Sequence, residues 1–245
     1  MPILRLRPEP SGGGPALGPR ARLLCTGRPG SLDEAFFRWL MRGTPVWVHP
    51  VGVDKDVLRR LAEPEPGDAW TPGQPGLAGV VDRGAQPDEV LLRRSSAVEV
   101  LPYYEVESYL CHPALVLPAL SSRGVDLPVR ELMPALLEAA RATYMPAVNA
   151  HLSHQARPSG RERLERMAQQ YADQLRMADE ILEEGNVEAL LRYFPGRRLA
   201  NRLCRELDFL SPQHMLEVMR QVPGLREEAG PLRELRVALL QRLGL

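Results

Sequence analysis

Apolar residues recur along this chain in two rhythms. Up to about residue 120 they come in short runs, at 22–26, 45–51, 77–81 and 97–101, each bounded by glycine, proline or polar residues. Runs of that length between turn signals predict buried strands. Amphipathic stretches lie between them. Ser31 is placed to cap a helix, with Asp33 and Glu34 in its first turn and the apolar run 35–40 behind them. A second short helix is predicted over 54–62, then a Pro- and Gly-rich loop over 63–76. This β-α-β-α-β order predicts a mostly parallel sheet with helices on its faces.

From about residue 128 only the helical rhythm remains. The spacing predicts a helix over 130–152 interrupted at Pro134 and Pro146, then a long charged amphipathic helix over 159–184. Opposite charges interleaved along it suit a solvated face with i,i+4 pairs. A short helix at 187–194 ends at Pro195-Gly196, and another follows at 197–207. Ser211-Pro212 reads as a cap followed by proline at the first helical position, and 231–243 closes the chain. No repeat of solenoid length is present. The expected organisation is a Pro/Gly-rich flexible segment at 1–20, an α/β unit at 21–125 and an all-helical C-terminal domain at 126–245.

Composition narrows the function little. The chain has 245 residues, 44% of them hydrophobic, which is ample for a core. Its net charge is zero, so no global field draws it to nucleic acid or membrane. Lys55 is the sole lysine among many arginines, a balance that fits a GC-rich coding bias. Cys25, Cys111 and Cys204 show no CxxC spacing, so buried reduced thiols are expected rather than a disulfide framework or zinc site. No apolar run approaches the ~18 residues of a membrane span, and residues 1–20 lack a signal core; a soluble, cytoplasmic protein is expected.

Several familiar chemistries fall away. The segment Gly27-Arg28-Pro29-Gly30-Ser31 lacks the Gly-Lys-Ser/Thr ending of a phosphate loop. His151 and His154 lie three apart without an HExxH pattern or neighbouring carboxylate, so a surface position is expected. His112 follows Cys111 with no triad to join, and Ser31 lies outside a G-x-S-x-G elbow. Tyr103, Tyr104 and Tyr109 read as packing residues.

Two clusters remain. Asp33, Asp82, Glu105 and Glu107 stand where strands end or the following elements begin. Carboxylates gathered at that edge of a parallel sheet can converge on a divalent metal, which points to phosphate chemistry. Glu105 and Glu107 share a face if their segment is extended and diverge if it is helical. In the tail, Arg192, Arg197, Arg198, Arg202 and Arg205 occur with no acid between the first and last. Arg198, Arg202 and Arg205 fall on one helical face, and Gly196 opens the helix. Binding a phosphate backbone through Arg197, Arg198, Arg202 and Arg205 is one reading. An interface with acids such as Glu206, Asp208 or Glu183-Glu184 is the other.

The order of these motifs resembles a family. A strand and Gly turn lead to Ser31-Leu32-Asp33 and a helix; a strand then ends in Asp82-Arg83, and Leu101-Pro102-Tyr103-Tyr104-Glu105-Val106-Glu107-Ser108-Tyr109-Leu110 follows. This is similar to the TOPRIM domain of OLD-type nucleases, above all the TOPRIM proteins that work with ABC-type or AAA ATPases in prokaryotic phage defence. The Pro195-Gly196-Arg197 segment is similar to a Pro-Gly-Lys/Arg element of those proteins. The resemblance covers about 21–120 well and the tail loosely.

It implies a Mg²⁺- or Mn²⁺-dependent nuclease site, with Asp82, Glu105, Glu107 and Asp33 as catalytic acids and the first three as metal ligands. It also implies an ATPase partner, DNA or RNA as substrate, and an oligomeric complex. Two positions depart from the pattern. The glutamate that should end the first strand falls on Thr26, and the second acid of Asp-x-Asp falls on Gly84. A neutral hydroxyl is a poor base and a weak ligand for a hard cation, and glycine supplies no ligand. The expectation is therefore a degenerate TOPRIM-like subunit that acts with an ATPase partner. An active endonuclease using the four remaining acids is the alternative.

Overall fold

The computed structural model describes residues 21–63, 76–86, 96–155 and 163–245. The segment 1–20, most of the loop 63–76 and the first residues of the helix expected from 159 lie outside them. The chain is α/β, with four parallel strands flanked by helices and a helical C-terminal region.

The sheet holds β1 (Ala21–Cys25), β2 (Val46–Pro50), β3 (Leu77–Val81) and β4 (Val98–Val100) in the order β2-β1-β3-β4. Leu23 stands level with Val48 on one side and Ala78 on the other, and Val80 with Glu99, so the strands end along a common edge. All five residues of β3 are buried. A central parallel strand is covered on both faces, which is why Leu77-Ala78-Gly79-Val80-Val81 reads as a nearly unbroken apolar run.

Alternation splits the strands between two cores. Leu24, Leu77, Val81 and Val98 face one side, where they pack on Val57 and Leu61 of α2 (Asp54–Ala62). That helix comes so close that a Cβ at Gly79 would stand 2.6 Å from Cγ1 of Val57 and 2.7 Å from Cδ1 of Leu61. Leu23, Cys25, Ala78 and Val80 face the other side and join a larger core. There they meet Phe36, Phe37 and Leu40 of α1 (Leu32–Leu40), and Tyr109 and Leu110 of α3 (Val106–Leu110). Tyr109 is fully buried, with its ring 5.4 Å from that of Phe36 and 4.7 Å from that of Tyr103. Each large apolar side chain so covered contributes about 1.5–3 kcal/mol.

The helical region continues this core. It comprises α4 (Pro113–Ser122), α5 (Val129–Arg141), α6 (Tyr144–His154), α7 (Arg163–Glu184), α8 (Val187–Tyr193), α9 (Gly196–Glu206), α10 (Pro212–Gln221), α11 (Leu225–Glu228) and α12 (Gly230–Arg242). Buried residues from Ala21 to Leu243 form one contiguous cluster, so the sheet and the helices share an interior. The three cysteines are buried and free, as expected. No helix among the described residues is long and apolar enough to cross a membrane.

One helix prediction needs correction. The helix predicted over 130–152 is two helices, and neither proline divides them. Pro134 lies inside α5 and Pro146 lies in the first turn of α6, where a missing N–H costs little. The break falls at Ala142-Thr143, where the Thr143 N–H and hydroxyl both donate to the Ala140 carbonyl, at 2.9 and 3.0 Å. A side-chain bond of that kind competes with helix continuation.

Candidate functional site

The candidate site lies at the edge where the parallel strands end. Two backbone hydrogen bonds bring the loops after β1 and β2 together: Gly27 N–H to the Gly52 carbonyl at 2.6 Å, and Gly52 N–H to the Gly27 carbonyl at 2.9 Å. Gly27 has φ +93° and a Cβ there would strike the Ser31 hydroxyl at 2.2 Å, so the turn requires glycine. Ser31 caps α1, as expected, by accepting the Glu34 N–H at 3.3 Å. That cap fixes Asp33 in the first turn, and the buried Thr26 hydroxyl donates to its Oδ1 at 3.3 Å.

The neighbouring loop brings a further carboxylate. Asp54 opens α2, and its Oδ1 accepts the backbone N–H of Asp82 at 3.3 Å. Beyond β4 the chain turns into α3. Glu105 occupies the extended N-cap position of α3 and Glu107 lies in its first turn. This geometry matches neither the strand nor the helix alternative for the pair. Because one acid precedes the helix and the other is inside it, both reach the same partner, Arg197 of α9. The Arg197 backbone N–H donates to Glu105 Oε1, and its Nε donates to Glu107 Oε1 at 2.9 Å. Gly196 allows this approach: a Cβ there would lie 2.3 Å from the Ser108 hydroxyl and 2.6 Å from the Ser108 amide nitrogen.

The result is an acidic cleft of about 510 Å³ lined in part by Thr26, Asp33, Asp54, Lys55, Asp82 and Arg197. Its carboxylates disturb one another. Burial, then the charges of Asp54, Asp33, Glu105 and Glu107, hold the Asp82 carboxyl well above the usual range. Asp33 is raised by burial and by Glu107, against the Thr26 hydrogen bond and the charge of Arg197. Glu105 is pushed up to about 7 by burial and by Glu107, less what the Arg197 N–H restores. Arg197 in turn is held more firmly protonated, chiefly by its hydrogen bond to Glu107.

The four expected acids therefore act on one another electrostatically at one edge of the sheet. Each of Asp33, Glu105 and Glu107 already accepts a protein donor. Among the described residues no group of three or more His, Cys, Asp or Glu side chains is arranged to hold a metal ion. The donor set in this arrangement thus fits a fixed guanidinium better than a divalent cation, which prefers several oxygen ligands at 2.0–2.6 Å.

The arginine cluster divides. Arg197 turns into the cleft, while Arg202 lies 3.3 Å from Glu206 within its own helix. Arg198 and Arg205 remain exposed. Gly84, at the expected second acid, has φ +57° and open space around its missing Cβ. His151 is a further correction: it is half-buried, stacked on Tyr193 at 4.0 Å, with Nε2 2.9 Å from the Tyr193 carbonyl.

Asp54 and Lys55 were not among the expected site residues. The signal was present, because Gly52-Val53-Asp54 after β2 repeats the strand–Gly–acid layout seen after β1. In comparisons with known proteins, no family model, no curated protein and no solved structure matches this chain.

Proposed function

We propose that the protein is a degenerate TOPRIM-like subunit of a prokaryotic defence or DNA-processing complex, in which the acidic cleft serves binding rather than strand cleavage. The reading rests first on one observation: Arg197 is bonded to both Glu105 and Glu107 at the cleft. An internal cation there offsets the charge that a metal would otherwise neutralise. Thr26 and Gly84 at two expected acid positions point the same way. The motif order that resembles ATPase-associated TOPRIM proteins carries the partner assignment, an ABC- or AAA-type ATPase. Exposed Arg198 and Arg205 offer contacts to DNA or RNA in such a complex.

One observation favours the alternative of an active Mg²⁺- or Mn²⁺-dependent endonuclease. Asp33, Asp82 and Glu105 all have raised pKa values, partly from mutual repulsion, and a cation would relieve that crowding. Installing the two acids tests the choice. Gly84→Asp enters open space at a φ that aspartate tolerates better than most residues. On the degenerate reading, Thr26→Glu with Gly84→Asp gains Mn²⁺ binding that the parent chain lacks. Equal Mn²⁺ binding by both chains favours the nuclease.

A further inference from the structure

The helix α7 outruns the domain that carries it. Its C-terminal half is seated. Gln174 and Ala178 are buried, Leu175, Ile181 and Leu182 pack on the main core, and the Tyr144 hydroxyl donates to the Leu175 carbonyl at 3.0 Å. From Arg163 to Ala172, by contrast, every residue is exposed except the half-buried Gln170. The seam of the helix does not stop where burial stops. Leu164, Met167, Tyr171, Gln174, Ala178 and Ile181 follow at alternating spacings of three and four, the stripe of a coiled coil. Its first three members are exposed, Leu164 to 79%.

Such an arm calls for a cover, because a stretch of helix this short gains little stability in water without packing. Two features fit the cover to a second copy of the same arm, laid antiparallel. The first is packing. With a two-fold axis between Met167 and Ala168, Leu164 of each copy stands level with Tyr171 of the other, and Met167 with the small Ala168. Tyr171 offers a notch there: its hydroxyl lies 4.0 Å from Sδ of Met145, which is itself exposed on α6. The second feature is charge. The arm 163–172 holds Arg163 and Arg166 against Glu165 alone, whereas 173–184 holds Asp173, Asp179, Glu180, Glu183 and Glu184 against Arg176 alone. Antiparallel pairing lays each basic tip beside the acidic base of the other arm, with Arg163 one residue from level with Asp173. Parallel pairing would set the basic tips together and align the helix dipoles. The whole chain carries no net charge, so long-range repulsion does not oppose association.

We infer that the exposed arm of α7 is a homodimerisation surface, in which Leu164 of each copy enters the Tyr171–Met145 notch of the other. The overlap of about ten residues spans roughly 15 Å of helix. It ends where Gln174 enters its own domain, so the two domains extend from opposite ends of the paired arms. The contact is smaller than a standard interface of about 800 Å² per partner, and the dimer is therefore reversible and concentration-dependent. The inference is independent of what the acidic cleft does.

Sedimentation of the full chain from about 1 μM to about 500 μM tests it. The mass should rise with concentration from the 27.3 kDa monomer towards twice that value. Met167→Glu, at an exposed side chain, should weaken the dimer at least about tenfold, with the circular dichroism spectrum of the parent chain retained. Arg163→Glu, which sets an acidic tip on an acidic base, should weaken it about threefold or more, and Asp173→Arg in the same chain should restore it. A parent chain that stays monomeric throughout would overturn the inference and leave the arm to a different protein. A dimer that a folded Met167→Glu protein forms equally well, or one that the second charge change does not restore, would overturn it too.

Discussion

Arg197 Nε stands 2.9 Å from Oε1 of Glu107, joining an arginine side chain 67% exposed to a carboxylate only 5% exposed. The two residues are 90 apart in sequence, so the bond ties α9 to the end of the sheet. Removing the arginine leaves a buried carboxylate without its cation. Loss of one partner of a fully buried pair costs about 3–5 kcal/mol, and solvent at Arg197 reduces that. Arg197→Ala should therefore lower stability by about 1–3 kcal/mol in urea unfolding. Glu107→Gln, which keeps an acceptor and removes a charge, should cost less. A change under about 0.5 kcal/mol for Arg197→Ala would show that the bond holds nothing in place.

The crowded carboxylates set the pH dependence. Glu105 has its folded pKa at about 7 against an ordinary 4.5. The folded state then holds a proton that the unfolded state has released between those two values. Stability attributable to Glu105 is greatest below 4.5 and declines as pH rises towards 7, by on the order of 1 kcal/mol per pH unit. Asp82 and Asp33 are raised as well and contribute in the same direction. The urea midpoint should be higher near pH 5.5 than near pH 8, and Glu105→Gln should flatten the slope. A midpoint that climbs through this window, with Glu105→Gln making no difference, would count against the electrostatic account.

Gly196 is a packing position rather than a flexible one. An added Cβ would meet the Ser108 amide nitrogen at 2.6 Å, and backbone cannot swing aside as a side chain can. Gly196→Ala should cost about 1–3 kcal/mol, typical of overpacking, despite alanine's better helix propensity. Differential scanning calorimetry would read this as a fall of about 2–4 °C per kcal/mol for a chain of this size. A wild-type melting temperature would show that α9 does not press on α3 as closely as described.

Much of the fold was legible because its signals were local. The apolar runs that became β1, β2, β3 and β4, the Ser31 cap and the Ser211-Pro212 helix start all depend on neighbours within a few residues. Pro134 misled because proline breaks a helix only when tertiary packing does not hold it, and α5 is held through buried Leu132 and Leu136. The gathering of acids at the sheet edge was legible from strand order. The partner of those acids was not: a chain of neutral net charge gives no hint that Arg197 is the arginine that bonds to Glu105 and Glu107 across 92 and 90 residues of sequence. His151 was hidden for a similar reason, since its stack on Tyr193 joins residues 42 apart.

The central claim is that the acidic cleft is balanced by Arg197 rather than by a metal. Calorimetric titration of the purified protein with Mn²⁺ and Mg²⁺, alongside Asp82→Ala, tests it most directly. The account predicts no stoichiometric binding of either ion to the parent chain and no difference in Asp82→Ala. Stoichiometric binding that disappears in Asp82→Ala would contradict it and place the protein among the active metal-dependent nucleases.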